Sequence, residues 1–253
     1  MERERLIQLF EELRVRLMII AGAVFLFAMI SFTFSDEIRY LLLMPADMAY
    51  ARFNGGDLDL QLIFLTPSEA LLANIRLAFV TSGIVTLPII LYQLLALAVV
   101  AAGKTRRSAV LLTLVMYILF ALGLSFSYFV VLPFALNFFV GFSGPDLVPS
   151  FSIARYLSFT TSFMLSFGLV FQMPVLFWFL GSIGLLTTTF LRQNRKFALL
   201  IIIIFASILT PPDIFSQVLM AIPLLLLYEL GIFMVYLSWR KKKDRDLTDA
   251  SAG

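Results

Sequence analysis

The sequence predicts an all-α membrane protein, a bundle of six transmembrane helices with both termini in the cytoplasm, and three observations carry that prediction. Hydrophobic residues make up 61% of the 253 and mean hydropathy is +0.98, well above the roughly 45–50% apolar content of a soluble domain. The apolar residues gather into six runs, at about 17–34, 70–99, 109–133, 156–180, 197–210 and 216–236, where a helix needs about 20 residues to cross a ~30 Å hydrocarbon core. Most of the 19 Lys and Arg then fall on one side of six crossings. They are Arg3, Arg5, Arg14 and Arg16 before the first run; Lys104, Arg106 and Arg107 between the second and third; Arg192, Arg195 and Lys196 between the fourth and fifth; and Arg240, Lys241, Lys242, Lys243 and Arg245 after the sixth. Connectors rich in Lys and Arg stay in the cytoplasm. Residues 1–238 are expected to form a single membrane domain, and 239–253 a charged cytoplasmic tail that grips lipid headgroups.

Composition also removes function classes. With no Cys and no His, disulfides, thiol nucleophiles, the usual zinc ligand sets and serine–histidine hydrolysis are excluded. No catalytic residue, metal site or cofactor is expected, and the protein reads as a non-enzyme. A net charge of +3 is too small to suggest nucleic acid as a partner. The first apolar run is not followed by a small-residue cleavage site and reads as an uncleaved anchor.

Residues 2–16 form an amphipathic helix leading into the first span, with Leu6, Leu9, Phe10 and Leu13 on one face. Glu11, Glu12, Arg14 and Arg16 are either a solvated face of that helix, with Glu12 and Arg16 in the favourable i, i+4 order, or a binding surface. The longest connector, 35–68, is acidic and holds Asn54-Gly55-Gly56, but it is too apolar for a free linker and should cap the outer end of the bundle. Thr66-Pro67-Ser68-Glu69 resembles a helix start. Arg76, inside the second span, needs an outer acid such as Glu69 or a snorkelling path to water. Pro88 should kink the same helix, and Gln93 is polar near its cytoplasmic end.

Gly123 and Ser125 in the third span suggest a close helix contact, and the span is expected to stop at Leu132-Pro133. A loop with Gly144-Pro145-Asp146 leads to the fourth span, where Gln172 stands deep in hydrocarbon before Met173-Pro174. Its amide needs a partner inside the bundle, on a docking helix, or at a backbone carbonyl freed by the proline. The fifth run spans about 21 Å, short for a bilayer. It ends at Thr210-Pro211-Pro212-Asp213, a tight reversal because neither proline can donate a hydrogen bond and Thr210 is pushed out of the α region. Asp213 and Ser216 can cap the returning sixth helix, also short, which carries Gln217, Pro223 and Glu229. An ionisable group such as Glu229 is either functional at membrane depth or near the far interface and solvated.

Taken together, the motifs resemble the TatC family, the polytopic core subunit of the twin-arginine protein translocase. Those that carry the resemblance are Glu12-Leu13-Arg14-Val15-Arg16-Leu17, Pro88-Ile89-Ile90-Leu91-Tyr92-Gln93, Ser127-Tyr128-Phe129-Val130-Val131-Leu132-Pro133, Phe167-Gly168-Leu169-Val170-Phe171-Gln172-Met173-Pro174, and Leu209-Thr210-Pro211-Pro212-Asp213 through Ser216-Gln217 to Pro223 and Tyr228-Glu229. The resemblance implies a glove-shaped six-helix bundle in the cell (inner) membrane. It implies a receptor for twin-arginine signal peptides that works with TatA/TatB-type single-span partners, self-associates in the receptor complex, and exports folded proteins using the proton-motive force. It puts signal-peptide binding on Glu12 with Arg14, Arg16 and Glu11, and partner docking on Gln172, Gln217 and Glu229. Gln172 stands where many members have Glu.

One segment departs from the family pattern. The first cytoplasmic loop of the family carries a second acid; here Leu97-Ala98-Val99-Val100-Ala101-Ala102-Gly103-Lys104-Thr105-Arg106-Arg107 has none, and its cations repel a guanidinium. A relative with altered or lost signal recognition is therefore an alternative, and a small-molecule or ion transporter is a more distant one.

Overall fold

The computed structural model describes residues 2–53, 62–63, 65–101, 106–141, 151–209 and 214–251. The Asn54-Gly55-Gly56 stretch, the loop segment 102–105, Gly144-Pro145-Asp146 and the corner Thr210-Pro211-Pro212-Asp213 lie outside the described residues. The chain divides into two compact units, one of Met1–Ile118 with Val140–Thr161, the other of Leu119–Phe139 with Ser162–Gly253.

In the first unit, α1 (Glu2–Thr33) is one uninterrupted helix through the expected amphipathic segment and first span. It packs along α3 (Glu69–Ala101). Ser82 is buried at that contact and donates to the Val24 carbonyl at 2.5 Å. Pro88 is carried inside α3 without ending it. The connector after α1 is not a loop at its start. It is a helix, α2 (Ser35–Phe53), with Asp36 and Glu37 in its first turn, where acids favour the helix dipole. Leu42, Ala46 and Ala49 recur on one face and are buried, so the excess apolar content of this segment is the packed stripe of a helix. Residues Leu62–Ile63 (β1) and Phe151–Ser152 (β2) make a two-residue parallel pairing, a small addition to the expected all-α fold.

The Thr66–Glu69 signal operates as a cap. The Glu69 carboxylate accepts from the backbone N–H of Leu65 at 2.5 Å and of Thr66 at 3.3 Å, the reciprocal half of a capping box. Its other oxygen accepts from the Ser152 hydroxyl and the Ala154 N–H. The start of α3 is thereby tied to the start of α6 (Ile153–Val170), whose Tyr156 hydroxyl donates to the Leu42 carbonyl at 2.8 Å.

The second unit begins within α4 (Arg106–Phe126). The expected stop at Pro133 does not occur. A π-helical turn, Ser127–Val131, is followed by α5 (Leu132–Gly141), with Pro133 inside its first turn. A proline ring clashes with the carbonyl four residues back and lacks an N–H; the wider π turn accommodates both. Gly123 is buried against the Phe167–Gly168 backbone, so the expected close contact is present, but its hydroxyl neighbour in the core is Ser127 and not the exposed Ser125.

The fourth expected span is two helices, α6 and α7 (Met173–Ser182), broken at Phe171-Gln172. The helix α7 ends on Gly184, whose φ of +86° lets the Gly184 and Leu185 N–H groups turn back on the Gly181 and Leu180 carbonyls. Thr187 then caps α8 (Thr188–Gln193) by accepting from Phe190 N–H at 3.1 Å. The fifth expected span is α9 (Arg195–Leu209), 15 residues, or about 22 Å.

The sixth is α10 (Ile214–Ser251), 38 residues, and here the expectation of a short helix fails. Pro223 lies inside it, and the charged tail continues it because Arg, Lys, Asp, Leu and Ala in that run include no helix breaker. Within the second unit α10 packs on α7 and α9, with Met220, Leu224 and Val235 buried.

Among the described residues, five stretches are long and apolar enough to cross a membrane: Glu11–Thr33, Glu69–Ala96, Ala109–Phe139, Ile153–Ser182 and Met220–Arg240. The helix α9 is shorter than these. Large apolar side chains stay exposed along them, among them Phe25, Leu26, Leu111, Phe129 and Leu226, as a lipid-facing surface requires.

Candidate functional site

In the first unit, α1 and α3 bring together a polar cluster at the end of α3 that carries Gln93. Arg16 donates from one terminal nitrogen to both the backbone carbonyl and the side-chain oxygen of Gln93, each at 3.0 Å. Its other terminal nitrogen pairs with Glu12 Oε1 at 2.6 Å. The Arg16 side chain is 16% exposed and that of Glu12 is 49% exposed. The guanidinium is therefore fixed from two sides, and it holds Glu12 with one carboxylate oxygen engaged and half of the side chain open. Glu11 and Arg14 are exposed on either side of Glu12 in sequence. Leu13, Arg14, Leu17, Met18 and Ala21 line a recess of about 450 Å³ beside them.

Of the four residues expected here, Arg16 thus holds the cluster together and Glu12 is the group it presents. Arg14 lines the recess, and Glu11 makes no ion pair among the described residues. The part of Gln93 was not foreseen; the signal was that Gln93 and Arg16 both stand near ends of long apolar runs that adjoin basic residues, where two polar groups at one depth can meet.

The remaining expected residues lie in the second unit. At the α6–α7 break, Gln172 N–H turns to the Leu169 carbonyl at 3.0 Å and leaves the Gly168 carbonyl without its helical partner. The Gln172 side-chain amide donates to that carbonyl at 3.3 Å. The break comes with Pro174 at the start of α7, and the amide repairs the ladder locally.

Gln217, near the start of α10, donates to the Ser207 hydroxyl at 2.5 Å and to the Ile203 carbonyl at 3.2 Å, both on α9. Glu229 pairs with Arg195, the first residue of α9, at 2.7 Å, and both side chains are about half exposed, 50% and 52%. An exposed pair of this kind contributes little to stability. Its neighbour Tyr228 is buried and donates to the Leu191 carbonyl at 2.8 Å. Pro211, Pro212 and Asp213 lie outside the described residues.

The arrangement offers carboxylate and amide groups on helix surfaces, suited to binding peptides or helices. No group of three or more His, Cys, Asp and Glu that could hold a metal ion exists among the described residues.

Residues 8–223 match the family model described as Sec-independent protein translocase protein (TatC). The chain is 34% identical over 226 residues to the TatC protein of Carboxydothermus hydrogenoformans, covering 88% of this chain and 89% of that one. It is 36% identical over 236 residues to that of Aquifex aeolicus, covering 92% and 95%. The crystal structure titled Twin Arginine Translocase Receptor- TatC superposes with a TM-score of 0.80 at 35% identity, over 91% of this chain and 99% of that one.

Proposed function

This chain belongs to the TatC family of Sec-independent protein translocase proteins, and on that premise we propose that it is the receptor and scaffold subunit of a twin-arginine translocase. It is a multi-pass membrane protein. In this reading it crosses the membrane six times as one domain, α9 included, with both termini in the cytoplasm and its Lys- and Arg-rich connectors on the same side. It binds twin-arginine signal peptides there, docks single-span TatA/TatB-type partners along α7, α9 and α10, where Gln172, Gln217 and Glu229 stand, and self-associates in the receptor complex.

The observation that carries the proposal is the pinned Glu12. Arg16 occupies Oε1 and leaves the second oxygen for a peptide guanidinium, whose planar fork suits a carboxylate. Because Arg16 is itself held by Gln93, the carboxylate is oriented before the peptide arrives, so less side-chain ordering opposes binding. Crosslinking of a twin-arginine signal peptide to membranes containing the protein tests this. Glu12→Ala and Glu12→Gln should both abolish the crosslink, since the charge and not the shape is used; crosslinking that survives both removes Glu12 from the site.

A second reading has its own observation, the absence of any acid in the loop 97–107. If the family site needs two acids, this chain binds ordinary signals weakly or accepts different cargo. In the same crosslinking experiment Thr105→Glu should then strengthen the signal over the unaltered chain, and no gain shows that the pocket does without a loop acid. The transporter alternative falls away with the family assignment.

A further inference from the structure

We propose that Arg76 binds the phosphate of an anionic phospholipid, in a groove between α3 and α6 at the end of the first unit opposite the Arg16 cluster. The inference does not depend on signal-peptide binding; only the leaflet concerned, the outer one, follows from the proposed topology.

Arg76 lies seven residues beyond Glu69 on α3, roughly 10 Å along the helix axis, inside a stretch apolar enough to span the membrane. A guanidinium at that depth requires a counter-charge or a path to the headgroups. The nearest acid on its own helix is committed. Both Glu69 oxygens are taken, one by the Leu65 and Thr66 amides, the other by the Ser152 hydroxyl and the Ala154 amide. Asp36, an acid of α2, pairs with Arg39 at 2.6 Å, and Arg39 also bonds Asn74 at 3.2 Å on α3. Arg76 makes no hydrogen bond or ion pair among the described residues, and its side chain is exposed.

The surroundings of Arg76 specify what would complete it. It lines a recess of about 130 Å³ with Leu72 and Leu77 of α3 and with Leu157, Ser158 and Thr161 of α6. The Thr161 hydroxyl is spent on the Leu157 carbonyl at 2.6 Å, whereas the half-buried Ser158 hydroxyl is a second donor facing the same ligand. The tie from Glu69 to Ala154 sets the starts of α3 and α6 level. Arg155, exposed in the first turn of α6, therefore stands at the headgroup level above Arg76.

A phosphodiester supplies two acceptor oxygens to the guanidinium fork, and its acyl chains supply the apolar matter that covers leucines. Two cations with no free acid between them among the described residues repel the amine of a zwitterionic headgroup and favour a headgroup with net negative charge.

The test uses the full chain, purified in detergent and offered phosphatidylglycerol or phosphatidylcholine, with bound lipid read by intact-protein mass spectrometry. The unaltered protein should retain phosphatidylglycerol in preference to phosphatidylcholine. Arg76→Gln should lose that preference, and Arg76→Lys, which keeps the charge but not the fork, should keep part of it. Inorganic phosphate added in excess should not displace the lipid. An undiminished preference in Arg76→Gln overturns the proposal, as does displacement by inorganic phosphate, which would make this a site for the free ion. If Arg76→Gln fails to fold, Arg76→Lys decides: full retention of the preference counts against the fork, and complete loss of both lipids counts against a site built on charge.

Discussion

Interhelical hydrogen bonds serve both units, and the second adds to them a means that the first does not use at its glycines. In a membrane the lipid is as apolar as the side chains, so helices gain little from burying leucine against leucine and depend on interhelical hydrogen bonds or close backbone approach. The first unit uses the former. Ser82 reaches the Val24 carbonyl, Tyr156 reaches the Leu42 carbonyl, Arg16 bonds Gln93, and Glu69 ties the starts of α3 and α6. The second unit has such bonds too, from Gln217 and Tyr228 of α10 to α9 and α8, but it joins α4 to α6 by the latter. Gly123 lies against the Phe167–Gly168 backbone and Gly168 lies under the Phe120 ring, while the Phe126 ring stands 5.8 Å from both Phe167 and Phe171. Where hydroxyls carry the contact a side chain must be present, and where backbones touch it must be absent.

The sharpest way to break the comparison is Gly123→Leu. Even a Cβ at this position would come within 2.6 Å of the Phe167 carbonyl oxygen and 2.9 Å of Gly168 Cα. Backbone cannot swing aside as a flexible side chain can, so the cost should lie at the upper end of the ~1–3 kcal/mol typical of overpacking, or beyond it. Thermal unfolding in detergent should show a large drop in Tm; a change within error would mean that the α4–α6 contact yields easily and that the second unit is not packed as described.

Ser82→Ala should have a smaller effect, in the first unit. The Ser82 hydroxyl is fully buried and its bond to Val24 is the kind whose average contribution in a membrane is only about 0.6 kcal/mol, reaching about 1.7. The Val24 carbonyl also keeps its own helical partner. A modest Tm decrease is expected, and one as large as that of Gly123→Leu would show that hydrogen bonds outweigh close packing here.

The sequence disclosed features that are local and missed those that depend on where helices meet. Five of the six apolar runs appear, among the described residues, as span-length helical stretches, and the helix start at Thr66–Glu69 and the contact at Gly123 appear because each is written in a few consecutive residues. The α2 helix was obscured by Asn54-Gly55-Gly56, which suggests a loop when the Leu42, Ala46, Ala49 stripe is not weighed against it. The stop assigned to Pro133 failed because a π turn is a register adjustment that no residue type announces. In the candidate site, Glu12 and Arg16 were visible as an i, i+4 pair, but Gln93 is 77 positions away from Arg16 and only the α1–α3 packing brings it there. Arg76 was expected to snorkel outward or to pair with an outer acid such as Glu69, and the two donors at and just before the start of α6 that help occupy the Glu69 carboxylate come from residues 152 and 154.

The smallest expected effect sharpens the contrast most, because it concerns the residue next to Ser82. Gly83 sits on the same helix, in the same unit, and a Cβ built on it meets nothing within 4 Å beyond its neighbours. In a soluble protein Gly→Ala inside a helix would stabilise by about 0.5–1 kcal/mol, because alanine loses less backbone entropy on folding. Here the reference state is a separated helix already formed in the membrane, so the propensity gain is present before and after association and cancels. Gly83→Ala should therefore leave Tm within error of the unaltered chain. A rise approaching the soluble-protein value would mean that α3 forms only on association, and a fall like that of Gly123→Leu would place a backbone contact in the first unit where hydroxyl bonds are taken to suffice.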